Sequence, residues 1–174
     1  MNPEAERIRG YLQAQAHKLT IPQLTDKVRG DMEQVREALD SVPADSFATR
    51  PAESEWSANE VAAHLASTSA AVAGGIRGAI EDGSAPEGVT DRIEPGAAER
   101  SPGEWWQTMV ADREAILERV RLASGDEHLD VKWNHGMFGD LNWREWLLFM
   151  RIHDLDHAGQ LRAIGQALNA ESRP

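Results

Sequence analysis

Residues 57–80 read SANEVAAHLASTSAAVAGGIRGAI and begin with Ser57 and Glu60 at the spacing of a capping box. The Ser57 hydroxyl is placed to accept from the Glu60 N–H while the Glu60 carboxylate reaches back to the Ser57 N–H, and Trp56 and Val61 sit at the two staple positions. Val61, His64, Leu65, Thr68, Val72, Ile76 and Ile80 then recur at three-to-four spacing, which predicts one helix with a histidine on its inward stripe. Asp82-Gly83 ends that pattern.

The same punctuation recurs along the chain. Thr20-Ile21-Pro22-Gln23 opens a stripe of Leu24, Val28, Met32, Val35, Leu39 and Val42, a helix over residues 21–42. Ser101-Pro102-Gly103-Glu104 opens a third, carrying Trp105, Trp106, Met109, Val110, Ile116, Leu117 and Val120 and ending near Ser124-Gly125. Asn142-Trp143-Arg144-Glu145, with Leu141 and Trp146 as its staple pair, opens a fourth that reaches Leu168. Its inward stripe is Trp146, Met150, His153, His157, Leu161, Ile164 and Leu168. Ile8, Tyr11 and Leu12 predict a short extra helix ahead of these four. No stretch alternates with period two for long enough to build a sheet, and the segment around Val131 to Trp133 is too short for one. The expected fold is all-α, a four-helix bundle in a single domain over residues 1–174 with its core at 20–168. Residues 83–100 are rich in glycine and proline and longer than a tight bundle turn, so they predict a long crossover between helices 2 and 3.

Composition excludes several functions. The chain has no cysteine, which removes disulfides, thiolate metal ligands and a thiol nucleophile of its own. A formal charge of -11 opposes binding to nucleic acid or an anionic membrane surface, both of which are gripped by Lys and Arg. The N-terminal stretch lacks an apolar signal core and no apolar run spans a bilayer, so a cytoplasmic protein with a small-molecule partner is expected.

His153 and His157 stand one turn apart on one helix face, where they can share an ion, and His64 faces inward from another helix. A catalytic zinc-type site uses three protein ligands and keeps a position open for water or substrate. Histidines on apolar stripes are also ordinary core residues. Three buried imidazoles would each need a partner, at about 1–3 kcal/mol apiece if left unpaired, and one ion satisfies all three.

Trp56-Ser57-Ala58-Asn59-Glu60-Val61-Ala62-Ala63-His64-Leu65 resembles the W-S-x-x-E-x-x-x-H-L segment of DinB-like proteins. Residues 136–146, GMFGDLNWREW, followed by His153-Asp154-Leu155-Asp156-His157-Ala158-Gly159-Gln160, resemble that family's glycine turn and H-x-x-x-H-x-x-Q final helix. The resemblance runs from Thr20 to Leu168. It implies a homodimeric bundle binding a divalent ion through His64, His153 and His157, with zinc, nickel, cobalt or ferrous iron all compatible with three imidazoles. It also implies a metal-dependent transferase using a low-molecular-weight thiol such as mycothiol or bacillithiol, a metal-dependent hydrolase, or a non-catalytic binding and dimerisation bundle.

Around the ligands, Gln160, three residues after His157, is placed to orient a ligand imidazole or to hydrogen-bond metal-bound water, or lies on the surface as an ordinary amide. Asp154, more than Asp156, is placed to accept the second ring N–H of a ligand histidine; a solvated helix face is the expectation for Asp156. His135 either serves at the mouth of the site as proton shuttle or thiol activator, or is a loop histidine. Arg113 either meets an acidic substrate or lies along the flank of its helix. Trp105, Trp106, Trp133, Trp143 and Trp146 line a pocket or fill the core. Glu60 and Glu145 read as caps, and His17 and His128 as surface residues.

Overall fold

The computed structural model describes residues 2–86 and 98–171. Its helices are α1 (Pro3–Lys18), α2 (Ile21–Asp40), α3 (Ala58–Asp82), α4 (Pro102–Arg121) and α5 (Trp143–Glu171), with a hairpin of β1 (Lys132–His135) and β2 (Gly139–Asn142) before α5. Each of α2 and α3 packs against both α4 and α5, while α1 and the hairpin lie on α5. The centre of the expected crossover, residues 87–97, lies outside the described residues. No helix among those described is long and apolar enough to cross a membrane.

Helix starts follow the local sequence. Thr20, Ser57 and Ser101 each form both bonds of a capping box, with Gln23, Glu60 and Glu104. At α5 the Asn142 side chain accepts the N–H groups of Arg144 (3.0 Å) and Glu145 (3.1 Å), and Glu145 returns a bond to the Asn142 N–H at 3.0 Å. Gly83 ends α3 at φ 63°, the left-handed conformation that glycine adopts without strain.

Two expectations need correction. The fold is mostly helical rather than all-α, because residues 132–142 pair as an antiparallel two-stranded sheet with Trp133 opposite Leu141. Four-residue strands carry little pattern; these persist because Trp133 and Leu141 are buried and the Trp133 ring stacks on Trp146 of α5 at 5.3 Å. Gly75 of α3 admits that ring, since a Cβ there would meet Trp133 Cζ2 at 3.1 Å. Nor is the N-terminal helix short or peripheral. It runs for 16 residues, and its Ala5, Leu12 and Ala16 belong to the core. Arg144 fastens it: the buried guanidinium donates to the carbonyls of Ala16 and Gly125, both at 2.8 Å, and to that of Leu19. A cation at the negative end of α1 also complements the helix dipole.

The core is two apolar clusters with a polar layer between them. One holds Val28, Val72, Ile116 and Met150; the other holds Met32, Leu65, Met109 and Ala158. Between these positions lie Ser69 on α3, Arg113 on α4, and Asp154 on α5, all buried. His153 and His157 fall in the same interval of α5.

The loop after α4 carries an acid-sensitive cap. Burial acts to raise the Glu127 pKa, but the N–H groups of Ser124 (2.6 Å) and Gly125 (2.8 Å) donate to its carboxylate and the net result is a value near 2, lowered to about 2 from 4.5. The folded pKa is below the unfolded one, so this stabilisation is complete above about 4.5 and is lost as the pH falls towards about 2. In acid titrations followed by circular dichroism, Glu127→Gln is expected to flatten the loss of stability across that window. An unchanged profile would show that Glu127 carries none of it.

Candidate metal centre

His64 of α3 is 2 % exposed and faces His153 and His157 of α5 across the helix interface. The ring centroids are 4.9 Å apart for His64 and His153, 4.8 Å for His64 and His157, and 4.5 Å for His153 and His157. One nitrogen from each ring lies within 4.8 Å of the other two, and the Nε2 atoms of His64 and His153 are 2.9 Å apart. Nitrogens bound tetrahedrally at zinc distances stand about 3.4 Å from one another, so small ring rotations convert this cluster into a ligand set. The three residues fit a borderline divalent ion.

The His157 tautomer is suited to that purpose. Its Nδ1 lies 2.8 Å from Gln160 Oε1, an arrangement in which Nδ1–H donates and the Nε2 lone pair is left for an ion. Gln160 is therefore placed as the sequence allowed. Loss of this bond frees the ring to rotate, and Gln160→Ala is expected to lower metal affinity by about 10–100-fold in competition with a chromogenic chelator. Equal affinity in the variant would make Gln160 a bystander.

The pKa of His153 is pushed well below its ordinary value of 6.5, first by burial and then by the neighbouring His157, His64, Arg113 and His135. The ring is thus neutral under conditions where an exposed histidine is largely protonated. Neutral imidazole is the metal-binding form.

A cleft of about 630 Å³ opens onto all three histidines. Trp56, Phe149 and Phe138 form apolar walls, α1 and its N-cap contribute Asn2, Glu4 and Ile8, and Met137 and His135 come from the hairpin. Trp56 stacks near the His157 ring at 6.4 Å and 11°, and Phe149 lies 5.5 Å from His153. A second hollow of about 650 Å³ lies on the other side of Trp56 and His157, beside Gln160.

Other expected residues divide clearly. Asp154 does not serve a ligand histidine in this structure; its carboxylate receives Arg113 Nη1 at 2.7 Å and Nη2 at 3.1 Å, while Arg113 Nε donates to Ser69 Oγ at 3.1 Å. Arg113 is accordingly withdrawn from substrates: it is 1 % exposed and already paired. Helical spacing put both side chains inward but carried no information about their pairing across α4 and α5. Asp156 is exposed on the rim of the cleft. His17 and His128 are exposed, and Glu60 caps α3 while also pairing with Arg50. Trp105, Trp133, Trp143 and Trp146 are buried and Trp106 packs against the core, with Trp105 Nε1 donating to Asn59 Oδ1 at 2.8 Å.

Trp56 was legible in sequence as a staple residue and as the first position of the W-S-x-x-E-x-x-x-H-L segment but not as a wall of a cleft, and nothing marked the N-terminal helix as a wall of the site. Both assignments depend on tertiary placement.

The family model described as DinB superfamily matches residues 24–161. Among solved structures, the chain is similar to a crystal structure of a histidine-to-alanine mutant of the mycothiol-dependent maleylpyruvate isomerase, with a TM-score of 0.62 and 16% sequence identity. That similarity covers 84% of this chain and 62% of the isomerase, so this chain spans less than two thirds of its neighbour. Among curated proteins no significant sequence match is found.

Proposed function

Because the chain belongs to the DinB superfamily, we propose that it is a divalent-metal-dependent enzyme that transfers a low-molecular-weight thiol to a small electrophile. The observation that carries this reading is the convergence of His64, His153 and His157 at the wall of a cleft large enough for a small molecule. These three would hold the ion, on a scaffold we read as a four-helix bundle with α1 added.

A divalent ion in such a site supplies Lewis acidity, which lowers the pKa of a thiol or water. The chain's own residues do the rest. Gln160 keeps the His157 proton on Nδ1. Trp56 and Phe149 pack beside the ligand rings and keep bulk water from that side. With no cysteine in the chain, the nucleophilic sulfur arrives with a co-substrate. The mycothiol dependence stated for the structural neighbour supports a thiol in this role. In this reading the partners are small molecules and a second copy of the chain, in the cytoplasm.

The test is to incubate zinc- or nickel-loaded protein with mycothiol or bacillithiol and a chlorodinitrobenzene, following thioether absorbance. Thiol-dependent product above the uncatalysed rate, absent in His64→Ala, is expected. Product formation by water alone would support the hydrolase instead, and no turnover with any metal, thiol and a panel of electrophiles would sink the enzyme reading.

A further inference from the structure

Phe149, His153, Asp156, Gln160, Ala163 and Ala167 follow one another along α5 at three- to four-residue spacing, so they share one face of that helix. The first three line the cleft that opens onto the histidine cluster, and the last three line the second hollow. The two hollows are therefore successive stretches of one trough, which runs along α5 for about 27 Å from Phe149 to Ala167 at the helical rise. Trp56 and His157 line both stretches, and among the described residues nothing else does. His157 is part of α5 itself. The indole of Trp56, from the residue before the α3 cap, is thus the side chain that crosses the trough.

That side chain is braced. Its ring lies 6.4 Å from His157 at 11° and 5.6 Å from His64 at 60°. The loop that carries it is fastened to α3, because Arg50 donates to the Glu60 carboxylate from Nε at 3.0 Å and from Nη2, and to the Glu53 carbonyl from Nη1 at 3.3 Å. Glu60 in turn accepts the Ser57 N–H at 2.8 Å. A hydrophobic staple needs an apolar residue ahead of the cap, and leucine or valine would serve. The extra volume of an indole is what closes the trough. Beyond it the floor is Ala163, Ile164 and Ala167, small or apolar positions that leave room for an apolar chain.

We propose that Trp56 sets substrate length: it confines the electrophile to the stretch beside His64, His153 and His157, so that compact molecules are held whole and the remainder of an elongated one is left in water. The proposal rests on the small-electrophile reading above and narrows it to compact electrophiles. Shortening Trp56 joins the two stretches and extends the site along α5 as far as Ala167.

The test needs neither thiol nor turnover. Butanol, hexanol, octanol and decanol are titrated calorimetrically into the full-length chain, without added metal and with one equivalent of zinc. A methylene that leaves water for an apolar wall strengthens binding by up to about fourfold, and one that stays in water adds nothing. In wild-type protein the gain is expected to stop part-way through the series. In Trp56→Ala it should continue, making the ratio of decanol to butanol affinity about tenfold or more larger than in wild type. Ala167→Phe refills the second stretch from its far side; it should leave the wild-type series unchanged and cancel the gain in Trp56→Ala. Trp56→Leu keeps an apolar staple residue and removes the ring, so it should show the same continuation at smaller size, and it carries the test should the alanine variant fail to fold. A wild-type series as steep as that of Trp56→Ala, a gain that survives Ala167→Phe, or no alcohol binding to any of these proteins would overturn the proposal. Failure of thiol transfer would leave these affinities untouched, so the two readings fall separately.

Discussion

Wild-type protein incubated with zinc and desalted is expected to retain about one ion per chain by plasma mass spectrometry, and the His64→Ala/His157→Ala double variant to retain none. The fold brings three imidazoles from two helices to one point, with a nitrogen of each within 4.8 Å of the other two. The double variant leaves His153 alone, and a single imidazole does not hold zinc against desalting. Losses in affinity above about 100-fold follow. Metal binding and stability at this cluster also depend on pH. The His153 pKa is depressed from 6.5 in the folded chain, chiefly by burial, so the unfolded chain takes up the proton first as the pH falls. The contribution of this residue to stability is complete above the ordinary histidine range and is lost as the pH drops through its folded pKa. Metal release on acidification should follow, since each ligand must remain deprotonated. Equal metal content in wild type and double variant would place any ion elsewhere on the protein.

Asp154→Ala is expected to destabilise the protein by about 3–5 kcal/mol, lowering the melting temperature on the order of 10 °C. Asp154 is 0 % exposed and its partner Arg113 is 1 % exposed, so removing the carboxylate leaves a guanidinium buried between two apolar clusters with Ser69 as its one remaining acceptor among the described residues. Arg113 also acts on His153, where its charge opposes protonation. Stripped of Asp154, the same charge would act without local compensation and weaken cation binding as well as folding. The double replacement Arg113→Met/Asp154→Leu separates the two effects. It removes both charges at similar volume, and replacement of a buried pair by apolar groups is often neutral or better. Differential scanning calorimetry on the wild type and the two variants checks this. A loss below about 1 kcal/mol in Asp154→Ala would mean that water reaches Arg113 and that the layer is not dry.

How much of this was written locally can be judged residue by residue. The capping boxes at Thr20, Ser57 and Ser101 involve only groups three positions apart, so sequence suffices to place the helix starts. The histidines were legible for a related reason: each sits on an inward stripe whose period is set by the helix itself. Asp154 lies on the same helix beside His153, and proximity in sequence suggested service to a ligand. One residue along an α-helix is a turn of about 100°, and that rotation takes Asp154 from the cleft to the α4 interface. The hairpin escaped notice because its two strands of four residues are held by Trp133 and Leu141 packing in the core, a contact that sequence periodicity cannot express. Trp56 was read correctly as flanking a cap, yet the same side chain forms a wall of both hollows beside His157.

The position of α1 has a practical side. Asn2 and Glu4 line the cleft, and the far end of their helix is tied down by Arg144 through the carbonyls of Ala16 and Leu19. Anything fused ahead of Asn2 therefore starts at the mouth of the histidine cluster. A polyhistidine purification tag placed there would bring a second set of imidazoles within reach of the same ion, distorting both stoichiometry and ligand access. The tag belongs at the opposite terminus or must be cleaved before any metal is counted.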